Sequence, residues 1–385
     1  MGNEPNQTFD CIVIGAGPGG SAAAIALAQQ NRQVLLLEKD SWPRDRPCGG
    51  GVAPAAGHYF NFDLSPAINN TLTQLQLSWK FGDTIDVDVQ TAEPLWSVDR
   101  RVFDDFLVQQ AIAQGVTFQA NCPATNAQYS GDRWTIATPN ATYSAPYLIG
   151  ADGPNGPSAR WLQLEPPTSH LGAVLVTNGT VGARAYFEFG ALNNGFVWAL
   201  PKGKQTWLCA STVRGKDVKE AKLQQTLKAF AKHLGVTPTS HFQTMPLRLW
   251  DGDRPLHGNH GLLVGDAAGV SDPFSGEGVR QAIFTGSEAA KTIDSALKGN
   301  AEAIAEYSKT IAQELGSDLA WAQRLTSLFH RFPKLAYKIG TRRPSVKTYI
   351  GKMMCGDMSY SYVAQRAIRR ISASLGNLIP GFGKS

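Results

Sequence analysis

The sequence predicts a mixed α/β fold: a parallel-sheet domain interleaved with an antiparallel-sheet domain, followed by a helical C-terminal region. Three observations predict it. Residues 10–38 read as strand, Gly-rich turn, helix, strand and a closing acid. Strand-like runs over 72–89 and 173–209 alternate loosely and carry Gly and Asn turns. From residue 277 onward the pattern is mostly helical.

Phe9 to Ile14 (FDCIVI) is a short apolar run rich in β-branched residues, so a buried strand. Gly15-Ala16-Gly17-Pro18-Gly19-Gly20 follows at once. Ser21 to Gln30 is dominated by alanine and leucine and reads as a helix. Val34 to Leu37 is a second strand, ending in Glu38 and Lys39. In this context the glycines are a dinucleotide fingerprint, and the domain is Rossmann-like. Gly15 turns the chain off the strand, Gly17 lets backbone approach a pyrophosphate, and Gly20 lets the helix lie close to the sheet. The helix N-terminus presents free N–H groups to that anion. Glu38 lies 18 positions after Gly20, where a carboxylate can accept from ribose hydroxyls.

Residues 41–51 (SWPRDRPCGGG) form a loop, and Val52 to Ala67 reads as helical, then irregular. Trp96 to Gly115 is a helix with Asp99 as N-cap and an apolar stripe of Val102, Phe103, Phe106, Leu107, Ala111 and Ile112. Val116 to Phe118 is a short strand. Residues 127–149 form a β-meander that ends in the buried run Tyr147-Leu148-Ile149. Asp217 to Leu234 is an amphipathic helix, Phe242 to Leu249 a strand, and His260 to Val264 a buried strand. Glu277 to Leu297 and Ala301 to Leu315 are helices. The expected division is 1–70, 97–170 and 245–300 for the Rossmann-like domain. Residues 71–96 and 171–244 make the β-rich substrate domain, and 301–385 the basic helical region.

The chain has 385 residues, more than one core usually organises, with 43% hydrophobic and 17% charged residues. That balance excludes a disordered chain, and no stretch offers the roughly 18 consecutive apolar residues of a spanning helix. The N-terminus is polar and acidic, unlike a signal peptide. The five cysteines, Cys11, Cys48, Cys122, Cys209 and Cys355, are scattered without a CxxC pair. They argue against a disulfide framework or a metal site and for a reducing, cytoplasmic setting. From Arg331 to the end there are eleven Lys/Arg and one acid, Asp357, so this segment is +10 while the rest is −5. Such polarity suggests an anionic partner, and peripheral membrane attachment is expected through Ile371 to Phe382 behind Arg366, Arg369 and Arg370. Nothing reads as nucleic-acid binding.

Four separated motifs resemble the FAD-binding oxidoreductases of the p-hydroxybenzoate-hydroxylase-like fold. They are the Gly15 loop with Glu38, then Arg100-x-x-Phe103-Asp104-x-x-Leu107, then Gly150-Ala151-Asp152-Gly153 with Arg160 downstream. The fourth is Gly265-Asp266-Ala267-Ala268, followed by Asp272-Pro273 and Gly276-x-Gly278. The resemblance implies FAD as cofactor, with Arg100 reaching it and Asp266 accepting from its ribityl hydroxyls. It also implies that backbone at Gly276 and Gly278 approaches the flavin ring, and that Asp152 and Gly153 belong to the cofactor site. A helix starting near Glu277 would set its positive end beside the flavin.

Two further stretches resemble the geranylgeranyl reductase family. Pro47-Cys48-Gly49-Gly50-Gly51 is similar to its Pro-Cys-Gly-Gly loop, with Gly49 beside the flavin. Gly195 to Pro201 (GFVWALP) is similar to its aromatic pocket motif, with Phe196 and Leu200 in place of Tyr and Phe. The implied reaction is hydride transfer from reduced FAD to an isolated C=C bond of a prenyl chain, with a proton for the other carbon. Phe196, Trp198 and Pro201 would wall an apolar slot for the isoprenoid, and Cys48 would be the catalytic residue. NADPH or reduced ferredoxin would supply electrons. Two alternatives remain. Gly195 to Pro201 also resembles a halogenase motif, so a flavin monooxygenase or halogenase acting on an aromatic substrate is one. A non-catalytic flavin protein that docks on membranes is the other.

Overall fold

Cys11–Ile14 is buried along its whole length, so it needs strands on both sides. In the computed structural model, which describes residues 7–213 and 218–376, it finds them at the centre of a six-stranded sheet. Across that sheet the order is His257–Gly258, Gly261–Leu263, Tyr147–Gly150, Cys11–Ile14, Val34–Leu37 and Thr117–Gln119. All neighbours are parallel except the first pair. The register puts Ile14 opposite both Leu37 and Gly150, and Gly150 opposite Leu263. Four strands therefore end level, and the chain leaves them at Gly15, Glu38, Ala151 and Val264.

Helix α1 (Pro18–Ala28) follows the first of these ends. It begins three residues earlier than Ser21 because Pro18 is favourable at a first helical position, where its missing N–H is no loss. Helix α2 (Arg100–Ala113) is capped by Asp99, which accepts from the Arg101 N–H as expected. Its buried stripe is narrower than the sequence suggests. Phe103, Leu107 and Ala111 are buried, whereas Val102 and Ile112 are 45% and 41% exposed. Asp104 takes an inward place on this helix because two arginines neutralise it. The stretch 52–67, expected to be helical and then irregular, holds two short 3₁₀ turns, Pro54–Tyr59 and Ser65–Ala67, in place of an α-helix. Pro54, Gly57 and Pro66 leave no run long enough for an α-helix.

The meander strands Asn126–Ser130, Arg133–Ala137 and Thr142–Ala145 pair among themselves and with Gln7–Thr8 in a separate small sheet. A four-residue helix, α3 (Ser158–Trp161), lies beyond the Gly150 turn. The second large sheet has seven strands: Thr237–Leu247, His170–Asn178, Gln205–Thr212, Gly195–Lys202, Arg184–Phe189, Gln74–Trp79 and Gly82–Asp88. It is antiparallel apart from one parallel pair, Arg184–Phe189 with Gln74–Trp79. One face packs on helix α4 (Glu220–Leu234) through Leu223, Leu227 and Phe230. On the other face Leu75, Leu77, Phe187, Phe196 and Leu200 form a second cluster that C-terminal helices help to close.

Helix α5 (Val279–Leu297) packs lengthwise on α1. Helix α6 (Ala303–Ile311) runs through a π turn, Ala312–Gly316, into α7 (Ser317–Arg331). Three helices complete the described residues: α8 (Pro333–Arg342), α9 (Pro344–Cys355) and α10 (Tyr360–Gly376). Among the described residues no helix is long and apolar enough to cross a membrane.

Helix α10 is tied to the loop before α5. The buried Tyr360 hydroxyl donates to Asp272 Oδ2 at 2.6 Å, and Asp318 accepts from the Tyr360 and Ser361 N–H groups. Asp272 also accepts from Phe274 N at 2.7 Å and Ser275 Oγ at 2.8 Å, which bends the chain toward Gly276. Tyr360→Phe keeps the ring and deletes the donor. It is expected to cost about 1.5–3 kcal/mol, the range for hydrogen bonds to charged groups, read as a lower urea midpoint. An unchanged midpoint would show that α10 does not brace this loop.

Candidate functional site

The level strand ends open one cleft, in the crevice where open α/β sheets bind ligands. It is lined by Gly15, Gly17, Gly19, Glu38, Lys39, Arg100, Asp152, Gly153, Asp266, Gly276 and Gly278, together with Cys48 and Gly49. Thus the expected cofactor residues converge, except Gly20, which sits behind the turn against Gly15 O. Arg160 is exposed on α3 and does not line the cleft. Arg46 occupies the polar position instead, 3.4 Å from Asp266 Oδ2.

Two helix N-termini face this space. Helix α1 begins after Gly17 without a side-chain cap, and α5 begins after Gly278, where Glu277 Oε1 accepts from Arg280 N at 2.7 Å and leaves the other first-turn N–H groups open. Their first N–H groups lack intrahelical partners and favour an anion or a polar ring edge. Glu38 is buried and held from both sides: Oε2 accepts from Ala16 N at 3.1 Å and Arg44 Nε at 3.2 Å, and Oε1 from Asp40 N at 3.1 Å. Arg44 also pairs with Asp104 at 3.1 Å, and Arg100 grips the same carboxylate through two bonds of 2.7 and 2.8 Å. Burial works against the Arg100 charge, but Asp104, with Cys48 beside it, outweighs burial and holds its pKa above the ordinary value.

One buried polar atom of this lining has no hydrogen-bond partner, Asp152 Oδ1. Buried polar groups are normally satisfied, so this acceptor awaits a polar ligand. Asp152 Oδ2 accepts from Ser158 N at 2.8 Å. Burial raises the Asp152 pKa, so its ionised form is penalised in the fold. The penalty is absent below the ordinary carboxylate pKa and grows as pH rises through the raised one. Asp152→Asn should therefore melt higher than wild type as apoprotein near pH 7, with the gap closing toward pH ~4. The same variant should bind FAD about tenfold or more weakly, as a lost charged partner costs. Equal melting at both pH values would refute the assignment.

The cleft continues past Cys48 into an apolar end walled by Leu95, Phe187, Trp198, Leu200, Met245 and Met354. Cys48 is half-buried, and its Sγ accepts from Gly50 N at 3.4 Å. Gly49 lies flat on the Trp198 indole: a Cβ there would stand 2.3 Å from the ring nitrogen. The two stretches that resemble the geranylgeranyl reductases, far apart in the chain, thus touch. Phe196 is buried behind Trp198, with ring centroids 5.3 Å apart. Pro201 is placed differently from the expectation. Strand alternation sets it with Val197 and Ala199 on the α4 side, and Leu200 takes the wall position.

Sequence reasoning missed Lys202. It is only 7% exposed, with Nζ 3.3 Å from Cys48 O and 3.5 Å from the Trp207 ring centroid. Burial pulls its pKa below the ordinary lysine value, and Cys48 is the largest opposing influence. The signal available was its place in the alternation: 196, 198, 200 and 202 share one face. Met354 was also missed, because only folding brings α9 to the chamber.

The geometry has a counterpart in known proteins. A family model described as FAD binding domain matches residues 83–313, and one described as FAD dependent oxidoreductase matches residues 10–153. The chain belongs to the FAD-binding-domain family. It is an FAD-dependent oxidoreductase. Among relatives in this flavoprotein family, an uncharacterized protein of Methanosarcina barkeri is 31% identical over 76% of each chain. A digeranylgeranylglycerophospholipid reductase of Methanocaldococcus jannaschii is 27% identical, covering 80% of this chain and 83% of its own. A solved geranylgeranyl bacteriochlorophyll reductase-like protein from Thermoplasma acidophilum shares the fold. Its TM-score is 0.76 at 20% identity, covering 91% of this chain and 92% of that one.

Proposed function

We propose that this FAD-dependent oxidoreductase hydrogenates C=C bonds in a prenyl chain. One observation carries the reading: the glycine-lined cleft runs without interruption into a chamber walled by aliphatic and aromatic side chains, with Cys48 also in its lining. The named reductase among the relatives acts on a molecule of that chemical class.

Bound and reduced, FAD supplies a hydride equivalent. The residues of the chain do the rest. An isolated alkene has no carbonyl to polarise, so positioning and exclusion of water carry much of the catalysis. Trp198, Leu200 and Phe187 hold the apolar chain, and Trp198 fixes Gly49 so that the Cys48 thiol keeps its place. Cys48 donates a proton to the carbon that does not receive hydride. Lys202 holds the Cys48 carbonyl, and Arg100 flanks its thiol. NADPH or reduced ferredoxin restores the reduced cofactor, and the excess positive charge of the C-terminal region suits an acidic protein donor.

The test is anaerobic incubation of dithionite-reduced enzyme with geranylgeranyl diphosphate and a geranylgeranylated glycerolipid. Mass analysis should show added hydrogens in one of them. No added hydrogen in either, with NAD(P)H oxidation coupled to oxygen uptake, would turn the assignment to a monooxygenase or halogenase.

A further inference from the structure

We propose that the corner between α7 and α8 docks on an anionic lipid bilayer and passes a lipid-borne chain into the apolar chamber; this rests on the prenyl-reducing assignment. Four large hydrophobic side chains stand out from this corner. Leu328, Phe332, Leu335 and Ile339 are 60%, 53%, 58% and 51% exposed. They recur at intervals of four, three and four residues, on successive turns either side of the joint at Phe332 and Pro333. An apolar stripe of this kind normally faces a core, and among the described residues none covers it.

The charge around the stripe names the occupant. From Leu319 to Gly356 there are eight cations, Arg324, Arg331, Lys334, Lys338, Arg342, Arg343, Lys347 and Lys352, and no Asp or Glu. Arg331, Lys334 and Lys338 are exposed beside the stripe. Apolar side chains flanked by cations without any acid suit the interface of an anionic leaflet, where the first enter the acyl boundary and the second meet head groups. An acidic protein would suit the cations alone.

The inner side of the same corner explains what docking accomplishes. Tyr337, opposite Leu335 and Ile339 on α8, is buried, and its hydroxyl donates to Leu77 O at 3.1 Å. Its ring lies 6.1 Å from Phe189, and Phe329 of α7 lies 5.2 Å from Phe189. Phe189 reaches Phe196 at 6.0 Å, and Phe196 reaches Trp198 at 5.3 Å. One aromatic row therefore links the lipid-facing corner to the wall of the chamber. A chain anchored in a leaflet would meet the protein where its apolar interior is one helix away. This surface lies upstream of the tail segment Ile371 to Phe382, of which residues 377–382 lie outside the described ones.

The experiment is co-sedimentation of the FAD-loaded full chain with phosphatidylcholine vesicles, with and without phosphatidylglycerol. The wild type should bind vesicles containing phosphatidylglycerol and release at high salt. The double variant Leu335→Asp, Ile339→Asp should bind about tenfold or more weakly, and Lys334→Glu, Lys338→Glu should lose the preference for phosphatidylglycerol. Both should keep wild-type flavin content and wild-type reduction of a detergent-dispersed prenyl substrate. The vesicles contain no prenyl substrate, so docking is read independently of the reaction. If no form reduces the dispersed substrate while binding still follows the variants, the prenyl assignment fails and the docking surface stands. Three results would overturn the docking surface. One is a wild type that ignores vesicles, and another is an aspartate variant that binds as wild type does. The third is a wild-type dimer in lipid-free solution that the aspartate variant splits, since the stripe would then meet a second copy.

Discussion

Cys48→Ser is expected to keep bound FAD and to lose turnover by about 10²–10⁴-fold, the usual contribution of a positioned proton donor. The substitution is nearly isosteric. A serine oxygen can accept from Gly50 N as the sulfur does at 3.4 Å, and the Lys202 contact is to the backbone carbonyl, which the change leaves alone. The loop, the Gly49–Trp198 contact and the cofactor cleft should therefore persist. What changes is acidity. A free thiol has a pKa of about 8.5, and an aliphatic hydroxyl releases its proton far less readily. Absorbance of the bound flavin checks the first half, and single-turnover reduction of a prenyl substrate the second. Wild-type turnover in the serine variant would make Cys48 a packing residue and move the proton source elsewhere.

Gly20→Val is expected to abolish FAD binding and to destabilise the protein by about 3 kcal/mol or more, at or above the upper end of ordinary overpacking. The reason is backbone against backbone. A Cβ at position 20 would stand 1.9 Å from Gly15 O and 3.0 Å from Ala151 Cβ. Neither can swing aside as a flexible side chain would. Gly15, at φ +104°, already occupies backbone space that side chains rarely adopt. Pushing α1 away would separate its open N-terminus from the strand ends and destroy the anion site. Flavin content of the purified variant and its thermal midpoint measure both effects. A yellow protein of normal stability would mean that α1 does not need this close approach.

The cofactor half of the site was legible from the sequence because its signals are local. The glycine turn after Cys11–Ile14, the acid after Val34–Leu37 and the Gly-Asp turns after two later strands each announce themselves within a few residues. The level register of those strands then brings them together. Elements with strong periodicity, such as α2 and α5, were legible too, though Val102 and Ile112 show that a stripe's edges depend on what packs beside it. The start of the stretch 52–67 misled because its composition suits an α-helix while its prolines and Gly57 allow only short 3₁₀ turns.

The sequence by itself determined that this chain builds a parallel sheet around Gly15 to Glu38, carries a dinucleotide-type glycine turn there and has a strongly basic segment after Arg331. Turn chemistry, hydrophobic period and net charge are properties of neighbours along the chain, so they survive without coordinates. Only the tertiary structure decided which side chains face the chamber. Pro201 turned away while Leu200 turned in, because the face that a strand buries depends on its partners. Lys202 met Cys48 from 154 positions away, and Tyr360 met Asp272 from 88. Such meetings are set by sheet order and helix packing, which no local window contains.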